Sequence, residues 1–245
     1  MKGRARRPFW NFWNITMADG KHWRRLLELR FVQRMERSGK TEWRDVMDLS
    51  RVPFVYEDLS LFEHKIIYYE TSRGCPYRCS YCLSSVDKCL RFRDLNLVKK
   101  ELQFFLDQKV PQVKFVDRTF NCQHEHAMGI WKYIKEHDNG ITNFHFEISA
   151  DLLREDELEL ISDMRPGLIQ LEIGVQSTNT DTIREIRRTM RLEEVREHVA
   201  RIKEKGNIHQ HLDLIAGLPY EDIKSFRSHL MMFTACARTS YSLVF

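Results

Sequence analysis

The chain lacks any run of about 18 apolar residues, so no segment reads as a membrane-spanning helix. Its first residues, MKGRARRPFWNFWNITM, begin basic but have no continuous apolar stretch of the kind a secretory signal needs, and the cytoplasm is the expected compartment. No low-complexity tract or short repeat occurs along the 245 residues. Cysteine is sparse at six residues, and without export these are expected as thiols or metal ligands rather than a disulfide framework. A Gly-x-Gly-x-x-Gly turn is missing from the first strand–helix junction, which argues against a dinucleotide-binding fold. What is present, 42% hydrophobic and 30% charged residues, is the composition of a folded globular protein.

The charge is unevenly spread. Residues 1–40 hold 11 Lys or Arg against 3 Asp or Glu, whereas the remaining 205 hold 28 against 32. Trp10, Trp13, Trp23 and Trp43 fall in or beside the basic segment. Basic residues interleaved with aromatics suit nucleic acid, but a poorly structured leader or the remnant of a preceding domain is the favoured reading. Within it, HWRRLLELRFVQRMER has helical spacing and predicts one amphipathic helix. The division expected is a basic, Trp-rich segment over 1–45, a linker over 46–64 and a strand–helix core over 65–245.

From residue 64 onward, short apolar runs alternate with longer amphipathic ones. KIIYYETS, QVKFVD, NFHFEIS, LIQLEIGVQS and IHQHLDLIAGLP read as strands, each followed by a segment of helical period. Asn179 or Thr180 starts one of those helices, and Gly206 ends another as a C-cap. SYSLVF reads as a sixth strand. Repeated strand–helix units of this size imply α/β architecture with a parallel sheet and right-handed crossovers. A complete eight-unit barrel needs about 250 residues, so a partial (β/α)6 barrel fits the length better.

Directly after the first strand, CPYRCSYC sets Cys75, Cys79 and Cys82 in the spacing CxxxCxxC, with Cys89 seven residues further on. A structural zinc site wants four ligands in pairs, and neither Cys89, His64 nor Cys122 sits at a paired spacing. Four cysteines on an iron–sulfur cluster would serve electron transfer. Three leave one iron open to bind a small molecule.

CxxxCxxC with an aromatic, Tyr81, before its last cysteine resembles the radical S-adenosylmethionine (SAM) superfamily. The resemblance implies a TIM-like partial barrel, a [4Fe–4S] cluster on Cys75, Cys79 and Cys82, and SAM on the open iron. It further implies reductive cleavage of SAM to a 5′-deoxyadenosyl radical, hydrogen abstraction from a substrate, and an external electron donor such as flavodoxin or ferredoxin. By the same likeness Tyr81 sits beside the cofactor and Asp117, in VKFVDRTFN, accepts from the methionine amino group. Glu147, Glu172 and Gln176 line the ribose and methionine pocket, and Ile215 and Gly217, in LIAGLPYED, support adenine. A barrel-interior salt bridge competes with the ligand role of Glu172, since a carboxylate inside an apolar strand needs a partner.

The same stretches look most like radical SAM proteins that carry a cobalamin-binding domain before the barrel. About 45 residues precede the expected linker, too few for such a domain, so cobalamin is not expected in this chain, which reads as a truncated relative. Alternatives are a non-catalytic iron–sulfur protein and a tRNA-modifying methylthiotransferase-like relative. The residues do not name the substrate.

Overall fold

The computed structural model describes residues 30–33, 37–40, 45–63, 65–87, 89–234 and 240–244. The chain divides into two compact units, Met1–Met47 and Asp48–Phe245. In the first unit, β1 (Arg30–Gln33) pairs antiparallel with β2 (Arg37–Lys40), Phe31 facing Gly39. The amphipathic helix expected here is therefore corrected over its C-terminal part, where β-favouring Phe31 and Val32 lie in a hairpin strand. An isolated helix of that length is marginal without packing. The tryptophan-rich remainder of this segment lies outside the described residues.

In the second unit, six strands form one parallel sheet. They are β3 (Ile67–Tyr69), β6 (Gln112–Phe115), β7 (Asn143–Ile148), β8 (Ile169–Gln176), β9 (His209–Ile215) and β10 (Ser240–Val244), and they lie in that spatial order. The order never reverses, so right-handed crossovers keep the helices on one face, as in a barrel and unlike a doubly wound sheet. Among the described residues β3 and β10 each have one sheet neighbour, which leaves the barrel open. The sixth strand expected at the C-terminus is β10, paired in register with β9 from Ser240↔His211 to Val244↔Ile215.

The connecting helices are α1 (Leu95–Asp107), α2 (His124–Glu136), α3 (Glu155–Ser162), α4 (Thr180–Glu185), α5 (Leu192–Lys205) and α6 (Ile223–Thr234). Caps fix several ends. Asp94 accepts from the Leu97 N–H, Asn179 accepts from the N–H groups of Asp181 and Thr182, and Gly206 takes the left-handed conformation that ends α5. Helix α4 stops earlier than its periodicity suggests. The carbonyl of Ile186 accepts from the Ser80 N–H, 2.9 Å away, and Arg187 turns into the left-handed region.

The two faces of the sheet differ. Val113 and Phe115, Phe144 and Phe146, and Ile169, Leu171, Ile173 and Val175 are buried with helix residues such as Val98, Leu102, Trp131 and Ile134. Phe146 lies at the centre, with ring centroids 4.4 Å from both Phe115 and Phe120. Alternate residues turn to the opposite face: Lys114, Glu147, Glu172, Gln176 and Asp213 are half-buried. A closed barrel would fill this face with apolar side chains, whereas here it is polar on four successive strands.

Within the linker expected over 46–64, residues 49–62 pack onto the domain. Phe54 meets Phe104 and Phe105 at 5.3 and 5.4 Å, and Tyr56 meets Phe62 at 5.0 Å. Arg93 Nη1 donates to the Leu49 carbonyl at 2.5 Å, and its Nη2 lies 2.5 Å from the buried carboxylate of Glu101. The aromatic residues of the segment make it part of the core's edge.

Candidate active site

The cysteine loop leaves the C-terminal end of β3, the end at which strand–helix barrels carry their chemistry. A short antiparallel ribbon, β4 (Ser72–Arg73) with β5 (Arg91–Phe92), closes the loop at its base. Gly74 opens the loop at φ +93°, and a Cβ there would stand 2.8 Å from the Cys89 carbonyl oxygen, so only glycine fits. The excursion is also tied at its middle and tip: Cys75 N–H donates to the Asp87 carbonyl and Cys82 N–H to that of Cys79. Cys79 is buried; Cys75 and Cys82 are half-buried. The Cys75 sulfur lies 3.7 Å from the Thr119 hydroxyl.

Among the described residues no three His, Cys, Asp or Glu side chains are grouped to hold a single metal ion. A multi-iron cluster makes a different demand, because each thiolate binds a different iron. Three thiols on one loop, anchored at base, middle and tip, suit that donor pattern. A cleft of ≈ 270 Å³ adjoins the loop, lined by Glu70, Ser72, Arg73, Gly74, Ser84, Asp87, Val116 and Arg118.

Asp117 has a different post from the one expected. It is fully buried at the end of β6, with Oδ1 accepting from the Thr71 N–H at 2.8 Å. Its Oδ2 accepts from the hydroxyls of Thr71 and Ser72 at 2.5 and 2.8 Å. Burial pushes the carboxyl up to about 6, against the pull of those hydrogen bonds. With its acceptor sites taken by the loop's base, Asp117 fastens the loop instead of facing a ligand. Behind it His126, held neutral by burial at about 4, lies 3.0 Å from the Thr71 hydroxyl.

Glu172 is also spent internally. Lys114 Nζ donates to it at 2.8 Å, and His145 Nε2 approaches to 2.9 Å without hydrogen-bond alignment. The His145 contact and the Lys114 ammonium outweigh partial burial and hold Glu172 down to about 2. The interior salt bridge is thus the arrangement found. Glu147 faces Glu172 in register and has Arg118 at 3.9 Å; partial burial and the Glu172 charge raise its carboxyl. Asp213 completes the acidic group. Burial and then the Glu172 and Glu147 charges push it up to about 6, and its Oδ1 is buried with no hydrogen-bond partner.

Gln176 ends β8 at φ +69°, beside a register shift relative to β9. A Cβ on Gly174 would approach its Nε2 to 2.6 Å, so the glycine makes room for the amide. Ile215 is half-buried at the end of β9, and Gly217 is exposed at φ +85°. The structure therefore gathers Glu147, Glu172, Gln176 and Asp213 on the inner face and leaves Gly217 at the rim. Cys89 is exposed.

Sequence reasoning missed Arg188. Its Nη1 donates to the Tyr81 hydroxyl at 3.3 Å and its Nη2 to the Gly174 carbonyl, linking the cysteine loop to β8. Tyr81 is pushed up to about 12, by burial first, with Arg188 pulling the other way. Arginine 188 sits in a basic run, IREIRRTMR, that looks like a solvated helix face, and no local signal separates it from its neighbours.

The Radical SAM superfamily signature matches residues 69–233. The chain belongs to the radical SAM superfamily. It is 30% identical over 180 residues to 2-(S-pantetheinyl)-carbapenam-3-carboxylate methyltransferase of Streptantibioticus cattleyicolor, covering 65% of this chain and 24% of that protein. It is 26% identical over 174 residues to the cobalamin-dependent radical SAM methyltransferase TokK of Streptomyces tokunonensis, with the same coverage. The chain thus spans about a quarter of the length of these relatives. Among solved structures it is similar to the radical SAM methyltransferase TsrM of Kitasatospora setae, at TM-score 0.63, 20% identity, and coverage of 73% of this chain and 36% of that one. It is also similar to coproporphyrinogen III oxidase (HemN) of Escherichia coli, at TM-score 0.53, 19% identity, and coverage of 73% and 43%. At these identities the structural likenesses establish the radical SAM partial barrel. Among the described residues no helix is long and apolar enough to cross a membrane.

Proposed function

We propose that this chain is the catalytic core of a radical SAM enzyme, with Cys75, Cys79 and Cys82 holding a [4Fe–4S] cluster. The observation that carries the reading is the placement of the three thiols on one fastened loop at the C-terminal end of β3, beside a polar inner face. Bound there with SAM, the cluster would supply one electron to the sulfonium, giving methionine and a 5′-deoxyadenosyl radical that takes hydrogen from the substrate.

The chain's own residues prepare the place. Asp117 holds the loop's base through Thr71 and Ser72, and Arg188 holds Tyr81 against β8. Glu147, Gln176 and Asp213 offer acceptors on the inner face; Ile215 and Gly217 offer backbone at the end of β9. Glu172 serves by fixing Lys114 and His145 there, which leaves Asp213 a neighbour of like charge. Both curated relatives are methyltransferases by name, and this favours methyl transfer over other outcomes of the radical. We place the protein in the cytoplasm with flavodoxin or ferredoxin as its electron donor.

The test is anaerobic reconstitution followed by turnover with dithionite and SAM. Formation of 5′-deoxyadenosine by the wild type and its loss in Cys79→Ala is the expected result. A protein that loads iron and sulfide normally yet leaves SAM intact would refute the catalytic reading in favour of a non-catalytic iron–sulfur protein.

A further inference from the structure

We propose that the Thr119 hydroxyl sets the redox potential of the cluster, acting through Cys75. This rests on the assignment of the cluster to Cys75, Cys79 and Cys82, and it adds to that site a residue from outside the cysteine motif.

Thr119 stands at the N-cap of the 3₁₀ turn Phe120–Cys122, which follows β6. A threonine in that place ordinarily accepts a backbone N–H of the turn with its side chain. This one does not. The turn uses its carbonyl, which accepts from the Cys122 N–H at 3.0 Å, and the hydroxyl makes no cap bond. The hydroxyl faces the cysteine loop instead, 3.7 Å from the Cys75 sulfur. Its neighbours fix it there. Phe120 is fully buried, its ring centroid 4.4 Å from that of Phe146 and 5.3 Å from that of Trp131. The Asn121 amide donates to the Ser149 carbonyl at 2.9 Å, and its Oδ1 accepts from the Ser149 N–H at 3.0 Å. On the facing side, the Cys75 N–H is held by the Asp87 carbonyl.

A hydroxyl has one proton to give. Thr119 Oγ1 donates it to the Arg118 carbonyl at 2.7 Å, so with Cys75 as a free thiol the S–H is the donor to Oγ1. A metal takes the thiolate, and binding removes the sulfur's proton. Two acceptors then face each other until the hydroxyl turns about its C–O bond and donates to the sulfur. That turn moves no heavy atom. Thr119 is 6% exposed, so little water competes, and a hydrogen bond to an ionised acceptor is strong in such surroundings. Reduction adds one negative charge to a cluster, and hydrogen bonds to its sulfurs are among the factors that set its potential. A donor on the Cys75 sulfur favours the more negative, reduced form. Thr119 therefore raises the potential and eases entry of the electron.

The test is a redox titration of the anaerobically reconstituted full chain without SAM, poised with europium(II) chelates of graded potential and read by the EPR signal of the reduced cluster. Thr119→Val keeps the side chain's shape and removes the hydroxyl. At the wild-type midpoint its reduced-to-oxidised ratio is expected to fall about tenfold, a downward shift of about 59 mV for one electron. Thr119→Ser should return most of that shift. A Thr119→Val midpoint equal to that of the wild type overturns the proposal. A rise also overturns it, because water newly admitted to the cluster, and not a lost donor, moves the potential that way. Either result leaves the cluster assignment standing. Should Thr119→Val not take up iron, Thr119→Ala is read by the same criteria. Failure of both to load while Thr119→Ser loads would show that the hydroxyl holds the ligand in place without tuning it, and overturns the proposal too. Absence of a reduced-cluster signal in the wild type overturns both the proposal and the cluster assignment.

Discussion

Thr71 and Asp117, 46 residues apart, are joined twice, by backbone N–H to Oδ1 at 2.8 Å and by hydroxyl to Oδ2 at 2.5 Å. The first residue precedes the cysteine loop and the second ends the neighbouring strand. The pair sets where the loop begins.

This buried clamp titrates. The folded state holds the Asp117 proton at about 6 against an ordinary 3.8, so the folded protein binds it more tightly than the unfolded chain. Acidification from pH 7 to pH 5 should therefore stabilise the fold by about 1 kcal/mol through this group. Asp117→Asn should lose that increment, since its amide does not titrate and presents a donor to the Thr71 N–H or hydroxyl. Urea midpoints at the two pH values, compared between wild type and variant, check it. Equal pH slopes would reject the assignment.

Glu172 has the opposite sign. Its carboxylate, held at about 2, contributes stability that stands above about pH 4.5 and disappears as the pH falls toward 2. Glu172→Gln should cost roughly 1 kcal/mol, because the site is partly solvated and screened. The more specific outcome concerns Asp213, which loses a neighbouring charge and should titrate closer to the ordinary aspartate value. Carboxyl-carbon NMR measures that shift, and an unmoved Asp213 would show that burial alone sets it.

Arg188 reaches two acceptors on different elements, the Tyr81 hydroxyl and the Gly174 carbonyl. A lysine offers a single ammonium on a flexible stem and does not reproduce the planar fork. Arg188→Lys is expected to raise amide exchange at Ser80–Cys82 about tenfold while α1 and α2 keep wild-type protection. Unaltered exchange in the loop would mean that its other ties suffice.

Arg93 and Glu101 form a buried pair, 6% and 5% exposed, with Tyr69 also donating to Glu101. Arg93→Ala leaves a buried carboxylate uncompensated and should destabilise by about 3–5 kcal/mol. Arg93→Met combined with Glu101→Leu should cost clearly less than the sum of its single changes. Denaturation of the four proteins gives the coupling directly, and strict additivity would contradict the pairing.

Much of the fold was legible because the signals are local. Helix α1 shows its period in Val98, Leu102 and Phe105, Asn179 caps α4, and Gly206 ends α5. The strands lie where the short apolar runs were read, and in β8 they alternate in burial, Ile169, Leu171, Ile173 and Val175 being buried and Glu172 not. The helix expected before residue 38 failed in the part described because antiparallel pairing of β1 with β2 overrode its periodicity. The linker reading failed because its polar punctuation hid Phe54, Tyr56 and Phe62.

By itself the sequence determined the family and the spacing of the three thiols, since CxxxCxxC is one continuous stretch whose spacing survives any packing of the rest. Tertiary structure alone decided what the charged residues do. Asp117 looks like a ligand until Thr71 and Ser72 occupy it, and Glu172 until Lys114, 58 residues away, reaches it across the intervening strand β7. Arg188 looks like surface until it is seen holding a loop more than a hundred residues earlier. A carboxylate or guanidinium has the same local pattern in all these settings. Its role is set by which partner enters hydrogen-bond range and how much water is excluded, and both arise only when distant strands come together.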